Sequence, residues 1–265
     1  MIMKYKVEIL LAFFVFAVFS CTGPTVSEDK GNPLLTKYET PYQVPPFDNI
    51  QNTHFKPALD SGIAALRFDI DAIINNPQDP SFENTIEALE YSGTLLTRVR
   101  NVFNNLRSAN TNDSIQLISK EIAPEISKVF DDIYLNDQLF ERVNRVYKAR
   151  TTLNLEPEQE KLLEETYKSF VRRGANLSDD KKGQLRSINE QLSVLTLEFG
   201  ENILTETNNF KMVIEDESQL AGLPENVRQT AAEAASEDSM EGKWMFTVHK
   251  PSMLPFLQYS EVRPL

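Results

Sequence analysis

Apolar positions recur every three or four residues over most of this chain. That period predicts helices joined by short polar turns. Phe55, Leu59, Ile63, Leu66, Ile70 and Ile74 form one such stripe. Thr53 can cap its start, Pro57 is tolerable in a first turn, and Asn75-Asn76-Pro77 stops it. A second predicted helix carries Phe82, Ile86, Leu89, Leu96, Val99, Phe103 and Leu106. Gly93 lies inside it, costs about 1 kcal/mol relative to Ala, and reads as a close helix crossing. A third carries Ile115, Ile118, Ile122, Ile126, Val129 and Ile133, with Pro124 as an expected kink. A fourth is expected over residues 137–152 and a fifth over 157–173, opened by Pro157. The sixth is long. Ser178 is its expected cap, and Leu185, Ile188, Leu192, Leu195, Phe199 and Ile203 form its stripe.

The period then changes. Residues 209–215 and 243–248 are short and rich in β-formers, and a small helix over 224–236 separates them. Two strands pairing around that helix are expected. Trp244 and Phe246 alternate with Met245, which puts one face of the second strand in the core. The fold class is therefore mainly α: a multi-helix bundle with a small two-stranded β element near the C-terminus.

The first residues follow different rules. Lys4 and Lys6 precede an apolar run over 9–19 that is short for a membrane span and fits a signal-peptide core. It ends at Val18-Phe19-Ser20-Cys21, and the chain has 1 cysteine. A small residue directly before Cys resembles a bacterial lipoprotein cleavage box. Residues 1–20 then read as a lipoprotein-type signal peptide and Cys21 as the lipid attachment site. An ordinary secretory signal, or an anchor helix with an incidental Cys, is the plainer alternative. Buried acyl chains contribute about 0.8 kcal/mol per CH₂, so several would hold the protein on a membrane. Residues 21–37 are polar, hold Gly23, Pro24, Gly31 and Pro33, and read as a flexible tether. Ser27-Glu28-Asp29 resembles a short acidic surface-export signal. Residues 38–265 form the helical segment.

The net charge of -12 makes phosphate binding, and hence a nucleic-acid partner, unfavourable. There are 2 histidines, His54 and His249. A helical His-Glu-x-x-His zinc motif needs two His at i and i+4, so that both imidazoles leave one helix face. No such pair exists: His54 reads as a polar residue at a helix start, and His249 as one at a strand end near Pro251. Glu198, Glu201, Asp179 and Asp180 could suggest acid–base carboxylates, but Asp at a helix N-terminus is simply a favourable dipole interaction. Arg172-Arg173 could hold a peptide carboxylate or end a solvated helix.

Several ordered blocks resemble the M3 family of zinc metallopeptidases, on its bacterial peptidyl-dipeptidase and oligopeptidase A side. They run through Pro46-Phe47-Asp48-Asn49-Ile50, His54-Phe55-Lys56-Pro57-Ala58-Leu59, Phe82-Glu83-Asn84-Thr85-Ile86, Ser108-Ala109-Asn110-Thr111 and Gly174-Ala175-Asn176-Leu177-Ser178. The strongest are Leu197-Glu198-Phe199-Gly200-Glu201-Asn202, Ala221-Gly222-Leu223-Pro224, and Lys250-Pro251-Ser252 with Gln258-Tyr259-Ser260. The resemblance covers residues 33–261. It implies the N-terminal lobe of a mostly helical peptidase with a deep channel that admits short peptides. The family's zinc helix, with its His-Glu-x-x-His, comes several hundred residues later. There the metal activates water and the motif Glu acts as general base. None of those catalytic positions has a counterpart in this chain.

The expectation is therefore a truncated portion of a zinc-dependent oligopeptidase, inactive alone and without a cofactor of its own, zinc belonging to the complete family enzyme. The pattern departs from the family at Val262, which fits a frameshift or premature stop. The expected setting is the bacterial cell envelope, periplasmic or surface-facing, with a lipid anchor in the membrane. Expected partners are short peptides for a complete channel, and a catalytic half if that is separately encoded. The alternative is a non-catalytic helical peptide- or protein-binding lipoprotein.

Overall fold

Of the 265 residues, the computed structural model describes residues 31–265. The apolar run 9–19, Cys21 and Ser27-Glu28-Asp29 lie outside the described residues. Residues 31–37, read as the end of the tether, are described, and Asn32 and Leu34 among them are buried. Asn32 Nδ2 donates to the His54 carbonyl at 2.8 Å, and Arg98 Nη2 donates to the Leu34 carbonyl at 3.0 Å. The described chain divides into two compact units.

The first unit comprises residues 31–112 and Asn136–Arg172. Its helices are α1 (Asn52–Ile74), α2 (Ala88–Tyr91), α3 (Thr94–Ala109), α5 (Asp137–Ala149) and α6 (Pro157–Arg172). The predicted α1 stripe is the core, with Phe55, Leu59, Ile63, Leu66 and Ile70 all buried. The Phe55 and Phe103 rings meet at 5.1 Å between centroids. Burying each such side chain stabilises the fold by about 1.5–3 kcal/mol. The helix begins two residues earlier than expected. Gln51, not Thr53, is its N-cap, and His54 Nδ1 accepts from the Gln51 N–H at 3.1 Å.

The predicted second helix is interrupted. Residues Phe82–Glu87 form a π-helical turn, α2 follows, and Gly93 adopts φ 64° before α3 begins. A left-handed residue cannot sit inside a right-handed helix, and glycine accepts that conformation without steric cost. Gly93 does lie close against α1, where a Cβ would sit 2.9 Å from Leu66 Cδ1, and the backbone-to-backbone approach is at Gly62. A Cβ there would lie 2.8 Å from the Leu96 Cα, so α1 and α3 touch backbone to backbone. In α5, Asn136 caps the N-terminus and accepts from the Leu139 N–H at 2.8 Å. Tyr147 and Tyr167 then stack α5 on α6, with ring centroids 3.9 Å apart.

The second unit comprises Asp113–Leu135 and Arg173–Leu265. It holds α4 (Asp113–Tyr134), α7 (Asp179–Asn209), β1 (Met212–Ile214), α8 (Glu225–Glu237), β2 (Trp244–Phe246) and α9 (Lys250–Tyr259). α4 runs unbroken through Pro124. The strands pair antiparallel, with Val213 opposite Met245. Both Met245 and Phe246 are buried, so both faces of β2 are covered rather than one. Ile214, Leu220, Leu223, Ala231, Phe246 and Phe256 make the core of this β–α element. The helix α9 was not legible in the pattern, because Pro251 and Pro255 argue against a helix interior. Pro251 falls in the first turn, where its missing N–H costs nothing, and Phe256 anchors the rest in the core.

Candidate functional site

Chemistry needs polar groups brought together, so the histidines and carboxylates come first. His54 is spent on the start of α1, where its ring accepts the Gln51 N–H. His249 is the N-cap of α9, and its carbonyl accepts from the Ser252 and Met253 N–H groups at 2.9 and 2.8 Å. Among the described residues no three His, Cys, Asp or Glu side chains gather as a metal ion would require. Zinc therefore does not fit the residues described, and no chemical step is assigned to it in this chain.

Of the carboxylates singled out in the sequence, Glu198 is exposed, and the others serve the structure. Glu201 pairs with Lys120 of α4 at 2.8 Å. Asp179 and Asp180 occupy the first turn of α7, where the helix dipole favours them. Ser178 is the N-cap, as expected, but its side chain accepts no capping bond. Burial raises the Asp131 carboxyl above the usual range, although Asn189 Nδ2 donates to it at 2.7 Å. Arg173 lies 4.3 Å above the Tyr134 ring, so its guanidinium stacks rather than standing free for a peptide carboxylate.

One side chain was missed. Arg142 is only 8% exposed. Its Nη1 donates to the Asn76 and Gln78 carbonyls at 3.0 and 3.3 Å, and its Nη2 donates to Asn84 Oδ1 at 3.1 Å. It locks the turn that follows α1 to the π-helical turn. The signal was present: Leu139, Arg142, Val143 and Val146 share helical spacing, so an arginine occupies a core-facing position of α5.

Two of the sequence blocks meet. Gly222 has φ 86°, and a Cβ there would lie 2.2 Å from the Tyr259 carbonyl oxygen. The Glu261 N–H donates to the Ala221 carbonyl at 3.0 Å. The Ala221-Gly222-Leu223-Pro224 and Gln258-Tyr259-Ser260 blocks thus form one backbone junction at the end of α9. In the same unit, a cleft of about 190 Å³ opens between α8, β2 and α9, floored by Ala231, Met245 and Phe246 and rimmed by Asn226, Thr230 and Ser252. No charged group lines it, so it can hold a small apolar group but offers no acid, base or nucleophile pair.

The long helix departs most from expectation. Of the expected core stripe, Leu185 is half-buried against Gly174, but Ile188, Leu192, Leu195, Phe199 and Ile203 are 51–67% exposed. The opposite edge faces α4 and is the polar one. Lys182 is buried there, Arg186 Nη1 donates to Asp132 Oδ1 at 2.8 Å, and Asn189 bonds Asp131. The helix is thus turned with its polar edge inward and its apolar edge in solvent.

No protein-family model matches the chain. Individual relatives do. It is 40% identical over 226 residues to dipeptidyl carboxypeptidase of Escherichia coli (strain K12), covering 85% of this chain and 33% of that enzyme. The same-named enzyme of Salmonella typhimurium is 37% identical over 226 residues, with the same coverage of both chains. Oligopeptidase A of Haemophilus influenzae is 28% identical over 234 residues, 88% of this chain and 34% of its own length. The chain is a homologue of the M3-family peptidases. It spans about a third of the length of the curated relatives it matches. In this chain the blocks at Gly222 and Tyr259 meet. They are two halves of a single backbone contact.

Proposed function

We propose that this chain supplies the non-catalytic third of an M3 peptidase that hydrolyses short peptides, releasing dipeptides from their carboxyl ends. The observation that carries this reading is 40% identity over 226 residues with the E. coli dipeptidyl carboxypeptidase. The chain's own part is scaffolding. Its histidines start helices, its arginines lock turns, and its carboxylates pair with Lys or Asn across α4 and α7. Zinc and the general base belong to the polypeptide that makes up the rest of such an enzyme. The reading includes lipid attachment at Cys21 in a bacterial envelope, which rests on the Ser20-Cys21 box alone.

The test is a hybrid polypeptide in which this chain replaces the third of the E. coli enzyme that it matches. The hybrid is expected to hydrolyse an internally quenched short peptide in a chelator-sensitive way, while the chain alone does not. A folded hybrid without hydrolysis refutes the reading. Hydrolysis by the purified chain alone refutes it as well. For the anchor, Cys21→Ser should release the protein from membranes. Unchanged membrane association and unchanged mature mass would remove that element of the proposal.

A further inference from the structure

We propose that the apolar edge of α7 is the docking surface for the polypeptide that makes up the remaining two thirds of the relatives' length, whether joined to this chain or separate. This rests on the function proposed above and adds the surface at which the catalytic part is held. Ile188, Leu192, Leu195, Phe199 and Ile203 recur at steps of four, three, four and four residues. That places them on one edge of the helix, over about 22 Å of its length at 1.5 Å per residue. Each is half or more exposed. Scattered exposed apolar residues are ordinary, but a continuous stripe marks an interface.

The orientation of α7 strengthens the point. A helix that packs only on α4 would turn this stripe inward. Instead Arg186, Asn189 and Glu201 face α4 and are held there by Asp132, Asp131 and Lys120. Those three bonds join partly exposed side chains and favour the observed rotation, in which the stripe is turned away from α4. The flanking positions Gln184, Gln191 and Asn202 are uncharged amides, and Glu198 and Glu206 place charge at the margin and C-terminal end of the stripe. The edge is thus prepared for an apolar, elongated element such as another helix. The relatives carry about twice as much polypeptide again beyond the matched third. That unmatched length is the occupant to which we commit.

The test places cysteine at Leu195→Cys and, separately, at Phe199→Cys, in the full chain and in the hybrid with the E. coli remainder. Alkylation is timed site by site through peptide masses. At least tenfold slower alkylation at both sites in the hybrid than in the chain alone is expected. Fast alkylation in a hybrid that hydrolyses peptide overturns the docking surface and leaves the proposed function standing. Slow alkylation without hydrolysis supports the docking surface and overturns the proposed function. Slow alkylation in the chain alone that speeds up on dilution makes a second copy the occupant and overturns the proposal. A hybrid that does not fold overturns both readings.

Discussion

Gly222→Ala should destabilise the second unit by about 3–6 kcal/mol. The residue has φ 86°, and an L side chain pays about 1–2 kcal/mol for a left-handed conformation. The added methyl would also sit 2.2 Å from the Tyr259 carbonyl oxygen and 2.8 Å from Glu261 Cγ. Ordinary C···O contacts begin near 3.3 Å, so the end of α9 must retreat by about 1 Å. That retreat removes the Glu261 N–H bond to the Ala221 carbonyl, worth about 0.5–1.5 kcal/mol net. The remainder is overpacking strain, typically about 1–3 kcal/mol where a filled site must accept a methyl. The assay is built in. The chain's 1 tryptophan, Trp244, packs against the core of the same β–α element. Its fluorescence during urea unfolding reports this unit, and the midpoint should fall at unchanged slope. A loss under about 1 kcal/mol would mean that left-handed strain is not paid here and that the junction gives way freely. Gly200→Ala is the opposite-signed control. A Cβ at Gly200 meets nothing, so the variant should gain up to about 1 kcal/mol from helix propensity alone.

Further outcomes follow from the first unit and from α4. Gly62→Val should cost about 1–3 kcal/mol, because its side chain meets the Leu96 backbone, where the neighbour cannot rotate away; a thermal melt within one degree of wild type would contradict it. Arg142→Met should cost about 2–4 kcal/mol, since it strips the Asn76 and Gln78 carbonyls and Asn84 Oδ1 of a charged donor. Hydrogen exchange should rise first in residues 75–84, and uniform exchange would argue against the locking role. Asp131→Asn should stabilise the protein more at pH 7 than at pH 3. Burial raises the Asp131 carboxyl in the folded state, so the native protein binds the proton more tightly and stability from this group falls as pH rises through that raised value. Below the unfolded value of 3.8 both states are protonated and the advantage of Asn vanishes. A difference constant across pH would refute burial as the cause.

Much of the first unit was legible because its stripes are one-sided. Phe55, Leu59, Ile63, Leu66 and Ile70 face the core because nothing on α1 competes for that position. The boundaries at 137, 157 and 179 were legible for the same local reason: Asn136 caps, Pro157 opens, and Asp179 and Asp180 suit a helix start. What failed was any feature set by tertiary contact. Gly93 and Gly62 are both glycines in helical surroundings, yet one breaks a helix with positive φ and the other lets Leu96 approach. Propensity rates them alike. Helix α9 was hidden by its two prolines, and only the packing of Phe256 outweighs them. Arg142 was visible as an arginine in an apolar stripe, but the carbonyls it serves lie some sixty residues earlier.

The long helix shows why an apolar stripe is a statement about burial and not about where the burying element lies. The periodicity of Ile188, Leu192, Leu195, Phe199 and Ile203 says that something covers this edge. The periodicity does not say which element that is. The bonds from Arg186, Asn189 and Glu201 to α4 point the other way and hold the stripe in solvent. Both patterns belong to one helix, and they are compatible only if α7 faces two neighbours: α4 through polar pairs, and a second element through the stripe. Breaking the polar side should therefore release the apolar side. Arg186→Ala, Asn189→Ala and Glu201→Ala together remove all three bonds to α4 and leave that edge with little apolar surface to hold it. α7 should then lose its fixed rotation, and cysteine at Leu195 should become protected in the chain alone. Unchanged, fast alkylation in that variant would mean that the rotation of α7 is set by something other than these bonds.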